Sequence, residues 1–293
     1  MLGVTGPNEY ENNINNNWYT NRMASWTLEW TMVAYNWLIE NAENALNEII
    51  SKTALDTSAE FAKWKDIIAK MYYPKSEKLG IVLQQDGFLD KEQLTTEDLN
   101  PMERPINQHW SWDRILRSVF IKQADVLQGY YFLNHLYDQE EVKRNFDYYE
   151  PKTVHESSLS PCVHAILAAQ IGYPDKAYEM YLRTSRLDID DYNREVHEGL
   201  HITSMAGTWM SVVHGFGGMK IRNEELHFTP KLPVQWKGLT FSILWRGATL
   251  KANLTNEGIS IENVNGGSAK FFIDGELYNV GAGEKVTTVA IHV

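Results

Sequence analysis

Four short segments gather ionisable and polar residues beside glycine or proline, where loops and helix ends place side chains. The first is Gly6-Pro7-Asn8-Glu9-Tyr10. A carboxylate on a rigid loop flanked by an aromatic ring suits general acid work, because desolvation favours its protonated form. An exposed loop glutamate with no chemistry fits the same residues. The second segment is Ile121-Lys122-Gln123-Ala124-Asp125, preceded by His109, Trp110 and Trp112. Lys donates hydrogen bonds and Gln both donates and accepts, which is what a sugar ring requires; a solvated Lys on a helix is the plain alternative. In the third, Thr153-Val154-His155-Glu156-Ser157-Ser158-Leu159-Ser160-Pro161, hydroxyls and N–H groups gather at a helix start, where an anion is favoured. Capping alone would also explain Ser160. The fourth, His197-Glu198-Gly199-Leu200-His201-Ile202-Thr203-Ser204, has an H-x-x-x-H spacing. It lacks a second Glu or third ligand nearby, so no metal is expected.

The elements that must position these segments fall into three stretches. Residues 1–20 are rich in Asn, which supports turns, and Tyr10, Ile14, Trp18 and Tyr19 give this loop apolar anchors. From about residue 21 to 215 the apolar period is helical. Trp26, Trp30, Ala34 and Trp37 form one stripe, and Leu116, Val119, Phe120, Gln123 and Leu127 suggest another helix. Helices are also expected over 58–71, 139–148, 160–171, 174–186 and 202–213, with Pro74, Pro101, Pro105, Pro151 and Gly172-Tyr173-Pro174 as breakers. After Gly217 the period becomes two, as in Leu239-Thr240-Phe241-Ser242-Ile243, with turns at Asn256-Glu257-Gly258 and Asp274-Gly275. The fold class expected is therefore mainly α with a small antiparallel β domain, divided as 1–217 and 218–293.

Composition narrows the function classes. A net charge of −11 argues against nucleic acid, since phosphate contacts need clustered Lys and Arg. No apolar run is long enough to span a membrane. The absence of a basic-then-apolar leader, and a single cysteine, Cys162, suit a cytoplasmic location. Ten Trp and fifteen Tyr are many for a helical protein, and flat rings with a polar edge suit sugar clefts as well as cores.

Taken together, GPNEYENNINNNWYTN, KQAD, YEPKTVHESSLSPC and GLHITSMAGTWMSVVHGFGG resemble glycoside hydrolase family 65 in order and interval. The usual first motif there is GPDEYH followed by NAYTN. Asn8, Glu11 and Trp18 replace its Asp, His and Ala, a variant that resembles the maltose-phosphorolysing members. The resemblance implies a partial (α/α)6 barrel followed by a C-terminal β-sandwich. It makes Glu9 the general acid, puts Lys122 and Gln123 at the glucose subsite, and sets Glu156 where hydrolytic members keep a base. Ser157, Ser158 and His201 are then the phosphate neighbours. The implied reaction is inverting phosphorolysis of maltose to β-glucose 1-phosphate and glucose, with no cofactor and inorganic phosphate as co-substrate. A homodimer of the full-length enzyme is also implied. Other linkages (kojibiose, nigerose, trehalose), hydrolysis, or a non-catalytic sugar-binding role stand as alternatives. A barrel of this type needs on the order of twelve helices, and about seven to nine candidates are present, so the chain reads as a fragment with little activity alone. Glu9 and Glu156 are expected to face one cleft, with carboxyls about 6.5–9.5 Å apart.

Overall fold

The computed structural model describes residues 1–289. Val4 and Ile14 bridge the N-terminal loop to itself, so the Asn-rich stretch is ordered before the first helix. Helix α1 spans Trp18–Asn41, and its start is fixed by Asn17, whose side chain accepts from Thr20 N at 2.8 Å. Helices α2 (Glu43–Thr53) and α3 (Thr57–Lys70) fold back along it, with Asp56 capping α3. A two-residue ladder, β1 (Lys75–Ser76) and β2 (Ile81–Val82), leads through short turns to α4 (Ile106–His109) and α5 (Trp112–Arg117).

The central layer comprises α6 (Val126–Phe132), α7 (Gln139–Tyr149), α8 (Pro161–Gln170), α9 (Pro174–Ser185), α10 (Leu187–Asp190) and α11 (Ile202–Met210). Pro161 and Pro174 occupy first-turn positions, where a missing N–H costs nothing. Helix α8 is apolar on nearly all sides (Val163, Ala165, Ile166, Leu167 and Ala168 are all buried), so it is the hub against which α6, α9 and α11 pack. Trp18 stacks on Tyr130, which ties α1 into the same core. After α11 the chain widens into a π-helical turn, Ser211–Phe216, and then enters the strands.

The strands form two four-stranded sheets. One has the order β10-β7-β6-β5 (Lys285–Val289, Gly258–Asn265, Ala248–Thr255, Gly238–Trp245). The other runs β3-β4-β8-β9 (Met219–Arg222, Glu225–Phe228, Ala269–Ile273, Glu276–Val280). Leu250, Leu254 and Ile261 of the first sheet meet Leu226, Phe228 and Phe271 of the second in one core, which makes a sandwich. It is not wholly antiparallel, because β4 and β8 pair in parallel.

Two helical expectations need correction. Residues 116–127 are not one helix: α5 ends at Arg117 and α6 begins at Val126. Between them the chain is extended, with Val119 N bonded to Glu92 O, and Ile121 N to Lys152 O. Long-range backbone pairing and complete burial of Val119, Phe120 and Ile121 override the helical spacing. The Trp26–Trp37 stripe does lie on α1, but Trp30 and Trp37 are 40% and 58% exposed. The helix instead turns Trp18, Asn21 and Ser25 inward.

Candidate active site

The extended 118–125 segment matters because it crosses the N-terminal loop. Asn8 is fully buried, and its Oδ1 accepts from Tyr10 N at 3.1 Å and Lys122 N at 2.9 Å. Asn8 N donates to Asp125 Oδ2 at 3.1 Å, and Asn17 Nδ2 donates to both Asp125 oxygens at 3.0 and 3.2 Å. Gly6 leaves room for this knot: a Cβ there would lie 2.5 Å from Asp125 Oδ2. Burial pushes the Asp125 carboxyl up to about 7 despite the bonds from Asn17 and Asn8. The GPNEY loop and the KQAD segment are therefore one unit.

Glu9 projects from this unit, and its Oε2 accepts from Lys122 Nζ at 2.6 Å. Its side chain is 54% exposed, so the desolvation expected of a loop acid is not provided by the chain itself. Glu9 lines a cleft of about 570 Å³ with Gln123, Tyr19, Gln128, Thr203 and Gly207. Gln123 is 4% exposed, and its Oε1 has no partner among the described residues. Lys122 reaches the cleft through Glu9. Cys162 forms part of the wall with a thiol that burial raises to about 11, so it serves as a small apolar surface.

The expected phosphate residues are placed unequally. Ser158 Oγ is bonded to Thr203 Oγ1 at 2.7 Å, one hydrogen bond from the cleft wall. Ser157 Oγ accepts from Leu159 N at 3.2 Å in a local turn. His201 is tethered by Asp188, with Nδ1 at 2.5 Å from Oδ1 and N at 2.9 Å from Oδ2, while Glu195 lies 3.8 Å from its Nε2. The bond to His201 holds the Asp188 carboxyl below the usual range. Ser160 does not cap α8 with its side chain; its Oγ meets His155 Nδ1 at 2.8 Å instead.

Glu156 lies elsewhere. It is 4% exposed, its Oε2 accepts from Tyr10 OH at 2.7 Å and Ile106 N at 2.9 Å, and its Oε1 accepts from Arg104 Nε at 3.2 Å. It borders a second pocket of about 190 Å³, whose lining does not include Glu9. Glu9 and Glu156 thus line different pockets, and Tyr10, next to Glu9 in sequence, hangs on Glu156. Burial, then the Glu156 charge, push the Tyr10 phenol up.

The tryptophans before KQAD also stay out of the cleft. Trp110 is buried, donates Nε1 to Glu103 Oε2 at 3.0 Å, and carries Arg114 3.6 Å above its ring. Tyr19 is the one aromatic residue on the Glu9 cleft wall among the described residues. His197 and His201 do not converge as ligands. Glu150, His155 and His164 do, with ligand atoms within 4.8 Å of one another, but Lys176 Nζ already sits 3.2 Å from Glu150 Oε1. The sequence gives Tyr19 as a loop anchor and Thr203 as part of the segment with His201, without assigning either to the cleft, and Gln128 carries no signal there.

The chain matches known proteins along most of its length. Residues 1–210 match the glycosyl hydrolase family 65 central catalytic domain, and residues 219–280 match that family's C-terminal domain. It is 52% identical over 264 residues to a maltose phosphorylase of Bacillus subtilis (strain 168), covering 90% of this chain and 34% of that protein. It is 42% identical to an alpha,alpha-trehalose phosphorylase of Thermoanaerobacter brockii, covering 87% and 33%, and 38% identical to a kojibiose phosphorylase of Halothermothrix orenii, covering 89% and 34%. A solved structure assigned to a kojibiose phosphorylase from the human microbiome superposes with a TM-score of 0.88 at 32% identity, over 100% of this chain and 42% of that one. The chain thus spans about a third of the length of these curated relatives. The helices are part of an (α/α)6 barrel followed by a β domain. On its family domains, its relatives and its fold, the chain belongs to glycosyl hydrolase family 65.

Proposed function

We propose that the chain supplies the general acid and part of the glucose subsite of an α-glucoside phosphorylase, with maltose as its disaccharide. The observation that carries this is the seating of Glu9 and Gln123 in one cleft. Glu9 gives its proton to the glycosidic oxygen while a phosphate oxygen attacks the anomeric carbon from the opposite face. The C1–O bond breaks, its electrons go to the departing glucose, and the anomer inverts to β-glucose 1-phosphate. A bound disaccharide supplies the desolvation that Glu9 lacks in the open cleft. Gln123, with an unpartnered buried Oε1, accepts from a sugar hydroxyl.

Phosphate approaches from the side of Ser157, Ser158 and Thr203, near the start of α8. His201, flanked by Asp188 and Glu195, orients the segment that carries Thr203. Hydrolysis requires a carboxylate free to take a proton from water, and both oxygens of Glu156 are already engaged. That favours phosphorolysis over hydrolysis and makes Glu156 the anchor of Tyr10. Higher identity to the maltose enzyme, 52%, than to the trehalose and kojibiose enzymes, 42% and 38%, supports maltose as the disaccharide.

The test is a full-length enzyme carrying this chain, assayed on maltose, kojibiose, nigerose and trehalose with and without phosphate. Phosphate-dependent release of β-glucose 1-phosphate from maltose, at least tenfold faster than from the others, is expected; about 1.4 kcal/mol in the transition state gives that ratio. Equal rates without phosphate, or preference for another linkage, would reject the assignment.

A further inference from the structure

The second pocket, on the far side of Glu156, is strongly cationic in a chain whose net charge is −11. Its lining holds three guanidiniums, Arg104, Arg183 and Arg194, against one carboxylate, Glu156. That carboxylate meets Arg104 at 3.2 Å and leaves the other two without an ion pair among the described residues. Arg183 spends its Nη2 bonds on two carbonyls, Val154 O at 3.4 Å and His155 O at 3.1 Å, and its buried Nε has no partner. Asn193, 4% exposed on the same wall, has an unpartnered Nδ2.

Unneutralised guanidiniums and idle amide donors around one cavity call for an anion. The Arg183 guanidinium is held below its ordinary value by burial first and by Arg104 second. His155, behind the wall, is held down by burial and then by Arg183, Lys176 and Arg104, so the positive field reaches inward. The cavity, about 190 Å³, has room for a tetrahedral oxyanion. Forked N–H donors favour phosphate oxygens, which take paired, charge-assisted bonds.

We propose that Arg104, Arg183, Arg194 and Asn193 form a binding site for a phosphate group, separate from the Glu9 cleft. Its occupant is inorganic phosphate or the head of a phosphomonoester. The site does not depend on the role given to Glu9.

Titration calorimetry of a full-length enzyme carrying this chain with inorganic phosphate and with glycerol phosphate, at constant ionic strength, tests this. Saturable binding in either arm is expected, and the tighter arm identifies the source. Arg194→Gln should weaken it about tenfold or more, the loss expected of one charged hydrogen bond. The Arg194 side chain makes no hydrogen bond or ion pair among the described residues, so this variant keeps the fold. Glu156→Gln should strengthen binding by removing the single negative charge, and the part of the binding that Arg194→Gln removes should persist in Ser157→Ala with Ser158→Ala. Should Glu156→Gln unfold by losing its hold on Tyr10, Arg194→Gln decides alone. Binding in neither arm, or binding untouched by Arg194→Gln, overturns the proposal. Loss in the serine variant with none in Arg194→Gln would move the phosphate to the Glu9 cleft. Failure of the Glu9 reading itself would leave the Arg194→Gln effect intact.

Discussion

Glu9 owes its place to residues that do no chemistry themselves. Asn8 and Asp125 tie two loops over a hundred positions apart in sequence, and the Lys122 side chain then closes on Glu9. Asp125 reports on this arrangement through pH. Its folded value of about 7 stands above the ~3.9 of a free aspartate. Between those values the folded chain keeps a proton that the unfolded chain has released, so this term's stability is full below about pH 4 and lost as pH rises toward about 7. The slope is at most about 1.4 kcal/mol per pH unit for one proton. Asp125→Asn cannot titrate, so the stability of the parent relative to the variant should decline across that window, measured by urea denaturation at several pH values. A difference that does not change with pH would show that Asp125 is charged throughout.

At the scale of elements, α8 and α11 form the wall opposite Glu9, and their closeness sets the width of the cleft. Gly207 permits it: a Cβ there would meet Cys162 Cβ at 2.8 Å and Sγ at 3.0 Å. Gly207→Ala should therefore lower stability by about 1–2 kcal/mol through overpacking, even though alanine favours a helix by about 1 kcal/mol. A raised urea midpoint would mean the helices have room to spare. The helices 57–70, 139–149, 161–170 and 174–185 were legible because period, proline and caps agree there. The 118–125 segment was not, since its apolar spacing mimics a helix and its strand-like course depends on Glu92 and Lys152, far away in sequence. The separate surroundings of Glu9 and Glu156 were equally hidden, because Glu9 lines a cleft while its neighbour Tyr10 is buried on Glu156, and sequence order carries no such direction. The parallel β4–β8 pair escaped for a like reason: alternation shows a strand, not its neighbour.

At the scale of the molecule, a helical layer and a β-sandwich share a boundary at the π-helical turn, and Phe216 there packs on Trp236 while Val213 enters the sandwich core. Val33, Trp37 and Ile39 of α1 and Ile49 of α2 are exposed, and no described element covers them. The chain spans about a third of its curated relatives' length, so the account of catalysis must be tested in a full-length enzyme carrying it. In the mechanism proposed above, Glu9 is the proton donor. The most direct measurement is the initial rate of phosphate-dependent maltose cleavage by Glu9→Gln beside the parent, with circular dichroism showing the fold retained. Gln is nearly isosteric and has no carboxylic proton, so the rate should fall about a hundredfold to ten-thousandfold. A variant retaining activity within about threefold of the parent would assign the proton to another group.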